Sequence, residues 1–117
     1  MSTPALFSAS EPGAVFLPEA VPSVSQGIVS RTLLAAPGLR AVLFHFAAGQ
    51  ELTEHTSTSR ALIHILSGAC DFFVEGKPQA LRAGELLHLP PRRPHAVKAT
   101  EPMTMLLILA PEPAAEA

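Results

Sequence analysis

The stretch from Gly49 to Gly68, GQELTEHTSTSRALIHILSG, decides the fold predicted for this chain. It opens with a glycine-containing turn, carries His55, and ends in an apolar run that the second glycine terminates. Glycine accepts turn conformations that other residues avoid, and a short apolar run bounded by turn residues is typical of a strand. The stretch therefore predicts two adjacent strands that carry one potential ligand side chain.

A second stretch, from Gly84 to Ala99 (GELLHLPPRRPHAVKA), repeats this layout. A glycine is followed by apolar residues, a proline-rich bend and then a histidine, His95. Proline ends a strand because it lacks the N–H that a sheet ladder needs. The shared layout indicates that the two blocks belong together in the fold.

The spacing within the two blocks resembles the paired motifs of the cupins, G-x5-H-x-H-x3-E-x6-G and G-x5-P-x-G-x2-H-x3-N. The matching positions are Gly49, His55 and Gly68 in the first motif and Gly84, Pro90 and His95 in the second. The resemblance covers roughly residues 28 to 110. It implies a small single-domain cupin, whose fold is an all-β jelly-roll barrel, also called a double-stranded β-helix.

Four positions depart from these motifs. Ser57 stands where the second histidine would be and Ala61 where the glutamate would be, while Arg92 replaces a glycine and Ala99 an asparagine. In cupins, the histidines and the glutamate converge inside the barrel on one divalent transition metal. The resemblance therefore implies a degenerate metal motif in this chain.

Only His55 and His95 carry over as metal ligands, and they are the predicted ligands of a zinc, nickel, iron or manganese ion. Imidazole and carboxylate groups suit these metals, but three protein ligands are usual for a catalytic site. Glu54 adjoins His55 and should point the other way on an extended chain. Cys70, on a neighbouring strand, is another candidate. The alternative without metal is a pair of histidines that are hydrogen-bonded to each other, to water or to Ser57.

A third possibility is that the two histidines are the polar groups of a small-ligand pocket. Its predicted binding residues are His55, His95, Ser57, Phe44, Phe46, Ile63, Phe72 and Leu89, with Val42 in the same apolar wall. The degenerate motif favours a small-molecule-binding cupin that is non-enzymatic or of unassigned activity. The alternative is a metal-dependent enzyme, such as a dioxygenase, isomerase or decarboxylase, that acts on a small organic acid. A cupin sensor for a transcription regulator would require a partner chain.

Composition restricts these possibilities further. The chain has 117 residues, 48% of them hydrophobic, and a formal net charge of -2, which suits one compact domain and offers no basic stripe for nucleic acid. No apolar run reaches the ~20 residues of a membrane helix, and the first residues do not resemble a signal peptide. We expect a cytoplasmic protein. The single cysteine excludes an internal disulfide.

Twelve prolines and seven glycines divide the chain into short segments, which favours strands over helices. We predict some nine strands, including one at Ala14 to Leu17 and a hairpin that turns at Pro37-Gly38. The predicted organisation is a flexible segment at residues 1–12, the barrel at residues 13–110 and a disordered tail at residues 111–117.

Strand alternation places a second set of residues on the outer side of the sheet. These residues are Leu43, His45, Leu62, His64, Leu66, Leu86 and His88. The surface is too apolar to remain exposed, so we predict a homodimer interface there in preference to a three-histidine metal site. Arg60, Arg92 and Arg93 should lie near the barrel mouth. If they converge, they would favour a ligand with a carboxylate or phosphate.

Overall fold

The computed structural model describes residues 4–112, and within that range no helix is long and apolar enough to cross a membrane. The described residues form nine strands: β1 (Ile28–Ala36), β2 (Leu39–Phe46), β3 (Glu51–His55), β4 (Ser59–Ser67), β5 (Ala69–Val74), β6 (Lys77–Arg82), β7 (Leu86–Leu89), β8 (His95–Ala99) and β9 (Met103–Pro111). One sheet has the order β1-β2-β9-β4-β7 and the other has the order β3-β8-β5-β6. The prediction of an all-β barrel with two sheets is confirmed.

The turns between strands follow from the residues that form them. Glu75 and Gly76 join β5 to β6 with φ values of 54° and 78°, as a tight hairpin turn requires. Gly68, between β4 and β5, has a φ of 78°, and a Cβ at this position would overlap the carbonyl oxygen of Pro102. Any other residue at position 68 would push the start of β9 away from the β4–β5 turn.

The main core lies between the two sheets. Its members are buried apolar side chains that alternate along the strands with outward residues. They are Phe46, Ala61, Ile63, Ile65, Cys70, Phe72, Leu81, Leu89, Val97, Ala99, Met103 and Met105. His55 and His95 lie at the ends of β3 and β8. Packing of the core keeps these two strands in register.

The five-stranded sheet has a second apolar side, the outer face, and residues 6–21 lie across part of it. We call these residues the covering segment. The amides of Leu6 and Phe7 donate hydrogen bonds to the carbonyls of Thr32 and Leu33 on β1, at 3.0 and 2.7 Å. Val21 of the covering segment forms a small second core with strand residues. The predicted flexible segment therefore includes residues that bond to the sheet, whereas residues 1–3 lie outside the described range.

The covering segment bears on two predictions. The expected strand at Ala14 to Leu17 is absent, and a short 3-10 helix, Leu17–Glu19, begins there instead. Pro18 explains the difference, because it has no N–H to pair in a sheet but fits the first turn of a helix. The covering segment also buries part of the surface that was predicted to lie in a homodimer interface. Leu43 is 0% exposed and His45 is 6% exposed there.

The other end of the described chain is also attached to the barrel. Pro111 pairs with Ser59 at the end of β9, and the Glu112 carboxylate accepts a hydrogen bond from Arg60 at 3.0 Å. Residues 113–117 of the predicted tail lie outside the described range.

Candidate functional site

A bulge in β3 brings the two motif histidines together. Leu52 pairs with Val97 on β8, but the register shifts by the next pair, in which His55 lies opposite His95. The extra residue lets both Leu52 and His55 face the barrel, although they are three positions apart. The imidazole ring centroids are 4.2 Å apart, with an angle of 60° between the ring planes.

Backbone hydrogen bonds fix the tautomer that each ring adopts when it is neutral. The Nδ1 of His55 lies 2.9 Å from the carbonyl oxygen of Thr53, and the Nδ1 of His95 lies 2.8 Å from that of Arg93. A carbonyl oxygen only accepts, so each Nδ1 must carry the proton and donate. In the neutral rings, Nε2 is therefore left with a lone pair that can accept a hydrogen bond or bind a metal.

Burial favours the neutral form of His95. Removal from water lowers its pKa below the ordinary value of 6.5, and the nearby His55 lowers it further, while the hydrogen bond to the Arg93 carbonyl acts in the opposite direction. The Phe72 ring lies nearly parallel to the His95 ring, at a centroid distance of 6.1 Å. His95 is thus a neutral imidazole at pH 7, held between an aromatic ring and a second imidazole.

The two histidines line a cavity of about 240 Å³ inside the barrel, which we call the barrel cavity. Its other lining residues are Ser57, Ser59, Ala61, Ile63, Leu89, Pro90, Arg93, Leu107 and Leu109. Ser57, Ile63 and Leu89 were predicted from the sequence, whereas Ser59, Leu107 and Leu109 were not. The β9 residues carry no motif signal, because they are ordinary alternating strand residues.

The three predicted phenylalanines do not line the barrel cavity. Phe46 and Phe72 are 0% and 2% exposed and belong to the main core, and Phe44 packs against that core. Strand alternation assigned these side chains correctly to the interior, but it does not show how far along the barrel they lie. The cavity lies beside the two histidines. The phenylalanines fill other parts of the barrel interior.

The three arginines take different positions around this site. Arg93 lines the cavity and forms an ion pair with Glu75 at 3.2 Å, in which both side chains are half exposed. Arg60 faces the other way, where it bonds to His88 and Glu112. Arg92 is exposed, and its amide donates to the Ser57 carbonyl at 2.8 Å. Only Arg93 therefore reaches the cavity.

Comparison with known proteins agrees with this architecture. A family model described as "Cupin domain" matches residues 42–109 of this chain. The chain belongs to the cupin family. A search of curated proteins found no match.

Solved structures of similar cupins extend over most of this chain. A cupin 2 conserved barrel domain protein from Leptotrichia buccalis is 38% identical with a TM-score of 0.76, covering 80% of this cupin but 45% of that chain. An RmlC-like cupin from Desulfovibrio desulfuricans is 30% identical with a TM-score of 0.78, and the match covers 86% of this cupin and 98% of that chain. A conserved protein of unknown function from Streptococcus pyogenes is 25% identical with a TM-score of 0.82, covering 97% and 100% of the two chains.

Cupins often bind metals, but the donor groups of this one are too few for a resident ion. Ala61 lines the cavity without a donor atom, and the Ser57 hydroxyl accepts a hydrogen bond from the Ser59 amide at 3.1 Å. Glu54 is exposed and does not line the cavity. Cys70 is buried in the core, and burial raises the pKa of its thiol to about 11. Across residues 4–112, no three His, Cys, Asp or Glu side chains group around a common point.

A larger cavity lies on the opposite side of the same sheet, between the covering segment and the outer face. It has a volume of about 430 Å³. We call it the outer cavity, and its lining residues are Leu17, Pro18, Val21, Ser23, Leu66, Ser67 and Thr104. None of these side chains titrates. We place the candidate site in the smaller barrel cavity, because that cavity holds oriented imidazoles and a guanidinium.

Proposed function

We propose that this cupin binds a small organic molecule in the barrel cavity, with His55 and His95 as its polar contacts. The observation that carries the proposal is the fixed tautomer of the two rings, whose Nδ1 atoms donate to the carbonyls of Thr53 and Arg93. Two Nε2 lone pairs are thereby presented side by side to a ligand. A ligand meets no reorganisation cost at these groups, because the backbone already holds them.

The lining favours a ligand that combines a hydroxyl group with a carboxylate. A neutral Nε2 accepts a hydrogen bond, so the group beside the histidines must donate one, as a hydroxyl does. Arg93 supplies a guanidinium at the same cavity, and guanidinium matches carboxylate geometry. Glu75 pairs with Arg93 at the half-exposed surface, where ion pairs contribute little, so a ligand carboxylate can replace it. We therefore propose a small hydroxy acid.

The volume of the cavity limits the size of this ligand. Ligand pockets for drug-sized molecules measure roughly 300–1,000 Å³. The barrel cavity, at about 240 Å³, lies below that range. Leu89, Leu107 and Leu109 line the remaining wall, so the carbon skeleton of the ligand contacts apolar surface. Short-chain acids fit this description, and nucleotides and large cofactors do not.

A metal-dependent enzyme is the second candidate function, and one observation favours it. Metal-binding histidines usually donate their other ring N–H to a carbonyl or carboxylate, as both histidines here do. The donor set contradicts this candidate, since Ala61 and Ser57 replace a carboxylate and an imidazole. Elemental analysis of untagged protein separates the two functions. We expect substoichiometric zinc, nickel, iron and manganese, and one bound ion per chain would support the enzyme.

Thermal unfolding with short acids tests the binding function. The probes are glycolate, lactate and malate, with acetate and propionate as the analogues that lack the hydroxyl. A bound ligand at a hundredfold excess over its Kd stabilises the folded state by about 2.7 kcal/mol. We expect hydroxy acids to raise the Tm of the wild type more than their analogues do. If no probe raises the Tm, the proposed ligand class is wrong.

Two variants and a matched control locate the effect. His55→Ala together with His95→Ala removes both acceptors, whereas Gln would retain an amide oxygen that accepts, and Arg93→Gln removes the guanidinium. Both should abolish the ligand-dependent increase in Tm, because they remove the proposed contacts. His64→Ala makes the same change on the outer face and should retain the full increase. An increase that persists in the double variant would place the ligand elsewhere.

A further inference from the structure

The two neutral imidazoles of the barrel cavity present the same kind of group to a ligand. Each Nδ1 donates to a backbone carbonyl, that of Thr53 for His55 and that of Arg93 for His95, so each Nε2 can only accept. Both rings line the cavity, and their centroids are 4.2 Å apart. Two hydrogen-bond acceptors therefore lie side by side in one small pocket.

A single hydroxyl group does not satisfy both acceptors. A hydroxyl has one hydrogen, so it donates to one Nε2 and turns only lone pairs toward the other. An acceptor that a ligand shields from water without offering a donor weakens binding, because its hydrogen bond to water is lost. The two rings are neighbours, so a ligand that satisfies both must carry two donor hydrogens on adjacent groups.

The charge of the cavity disfavours an ammonium group as the source of these hydrogens. Among the lining residues in the described range, Arg93 carries the one full charge, and that charge is positive. A cationic ligand group would be repelled by the guanidinium and would find no carboxylate in the lining. Two neutral hydroxyl groups meet both acceptors without this repulsion.

The Ser57 hydroxyl favours the same kind of ligand. Its oxygen accepts a hydrogen bond from the Ser59 amide at 3.1 Å, so its own hydrogen is free to donate into the cavity. A ligand hydroxyl that donates to a histidine still has lone pairs that can accept from Ser57, whereas an ammonium group has none. The polar groups of the cavity thus match groups that donate and accept at once.

We propose that the ligand is a short acid with two hydroxyl groups on adjacent carbons, one donating to the Nε2 of His55 and the other to the Nε2 of His95. The carboxylate of the acid binds Arg93. Vicinal dihydroxy acids are a subclass of the hydroxy acids, so this assignment rests on the function proposed above. Glycerate is the smallest acid of this kind, and lactate and 3-hydroxypropionate each lack one of its two hydroxyl groups.

Isothermal titration calorimetry of the wild type with these three acids tests the proposal. The measurements are made at pH 8, above the usual titration range of histidine. We expect glycerate to bind about tenfold more tightly than either analogue, as one further hydrogen bond typically provides. Serine, in which an ammonium group replaces the 2-hydroxyl of glycerate, should bind no better than 3-hydroxypropionate.

Single histidine variants assign the two hydroxyl groups. His55→Ala should remove the preference for glycerate over one analogue, and His95→Ala should remove the preference over the other, because each variant deletes the acceptor of one hydroxyl. His64→Ala, on the outer face, is the matched control and should keep both preferences. All three variants should retain the far-UV CD spectrum of the wild type, because none of these side chains is a member of the main core.

Three results would overturn the proposal. If lactate or 3-hydroxypropionate binds as tightly as glycerate, one hydroxyl is sufficient, and only the broader binding of hydroxy acids stands. If both histidine variants lose the same preference, the two rings contact one hydroxyl and not two. If serine binds as tightly as glycerate, the donor is not restricted to a hydroxyl. A complete absence of binding by the three acids would instead contradict the proposed function, and the narrower ligand class with it.

Discussion

The barrel cavity and the outer cavity lie on opposite faces of β4 and β9, and they differ in volume and in the titratable side chains that line them. The outer cavity is larger, at about 430 Å³ against about 240 Å³, but none of its lining side chains titrates. The barrel cavity holds two imidazoles whose neutral tautomer the backbone fixes, together with a guanidinium. Oriented polar groups are therefore a better guide to the ligand site than volume.

The largest change should come from restoring the metal ligands of the barrel cavity. Ser57→His with Ala61→Glu adds an imidazole and a carboxylate at two positions that already line the cavity. We expect the affinity for nickel or zinc to increase by orders of magnitude, because ligand number and type dominate such sites. Isothermal titration calorimetry measures this change directly.

The control for the restored site is Ser57→Asn with Ala61→Gln, which adds similar volume without strong metal ligands. It should bind metal no better than the wild type. If the His and Glu substitutions also fail to increase affinity, the side chains at positions 57 and 61 do not converge with His55 and His95. The motif alignment would then be wrong at those two positions.

The next largest effect is a loss of stability on truncating a buried side chain. It compares the packing of the covering segment with the packing of the barrel core. Leu43 under the covering segment is 0% exposed, and Ile63 beside the barrel cavity is 1% exposed. Leu43→Ala and Ile63→Ala should each lower the free energy of unfolding by about 2–5 kcal/mol, since both delete fully buried side chains. Urea denaturation measures both. A loss below about 1 kcal/mol for Leu43→Ala alone would show that the covering segment leaves this face in solution.

A smaller effect is expected beside the barrel cavity, at Arg92. This residue occupies a motif glycine position and has a φ of 66°, which costs non-glycine residues roughly 1–3 kcal/mol. Arg92→Gly removes that strain but adds about 0.5–1 kcal/mol of backbone entropy cost, so we expect a net stabilisation of about 1 kcal/mol. Arg92→Ala, which retains the strain and removes only the charge, should show no gain in chemical denaturation. Equal stability of the two variants would mean that charge, and not φ, matters here.

The smallest effect is the pH dependence that His95 adds to stability. Its folded pKa is lowered by burial and by His55, so the unfolded chain takes up the proton first as the pH falls. This contribution to stability is fully present above pH 6.5 and is lost as the pH falls from there through the folded pKa. His95→Gln should therefore unfold with a flatter pH profile than the wild type between neutral pH and pH 5. Parallel profiles for wild type and His95→Gln would contradict the lowered pKa.

The sequence predicted the barrel well, because its glycines, prolines and alternating residues act locally. It placed His55 and His95 at one site for the same reason, since motif spacing fixes strand register. It missed the covering of Leu43 and His45, because alternation assigns a side chain to a face without showing what lies on that face. It also misplaced Phe44 and Phe46, because alternation does not define depth within the barrel.

The bulge in β3 determines which side chain faces His95. In a straight strand of the same length, alternation from Leu52 would turn Glu54, and not His55, toward His95. The protein is thus one register step from a carboxylate–imidazole pair, an arrangement suited to proton transfer. Removal of the bulge would therefore change the side chain that faces His95 without replacing any core residue.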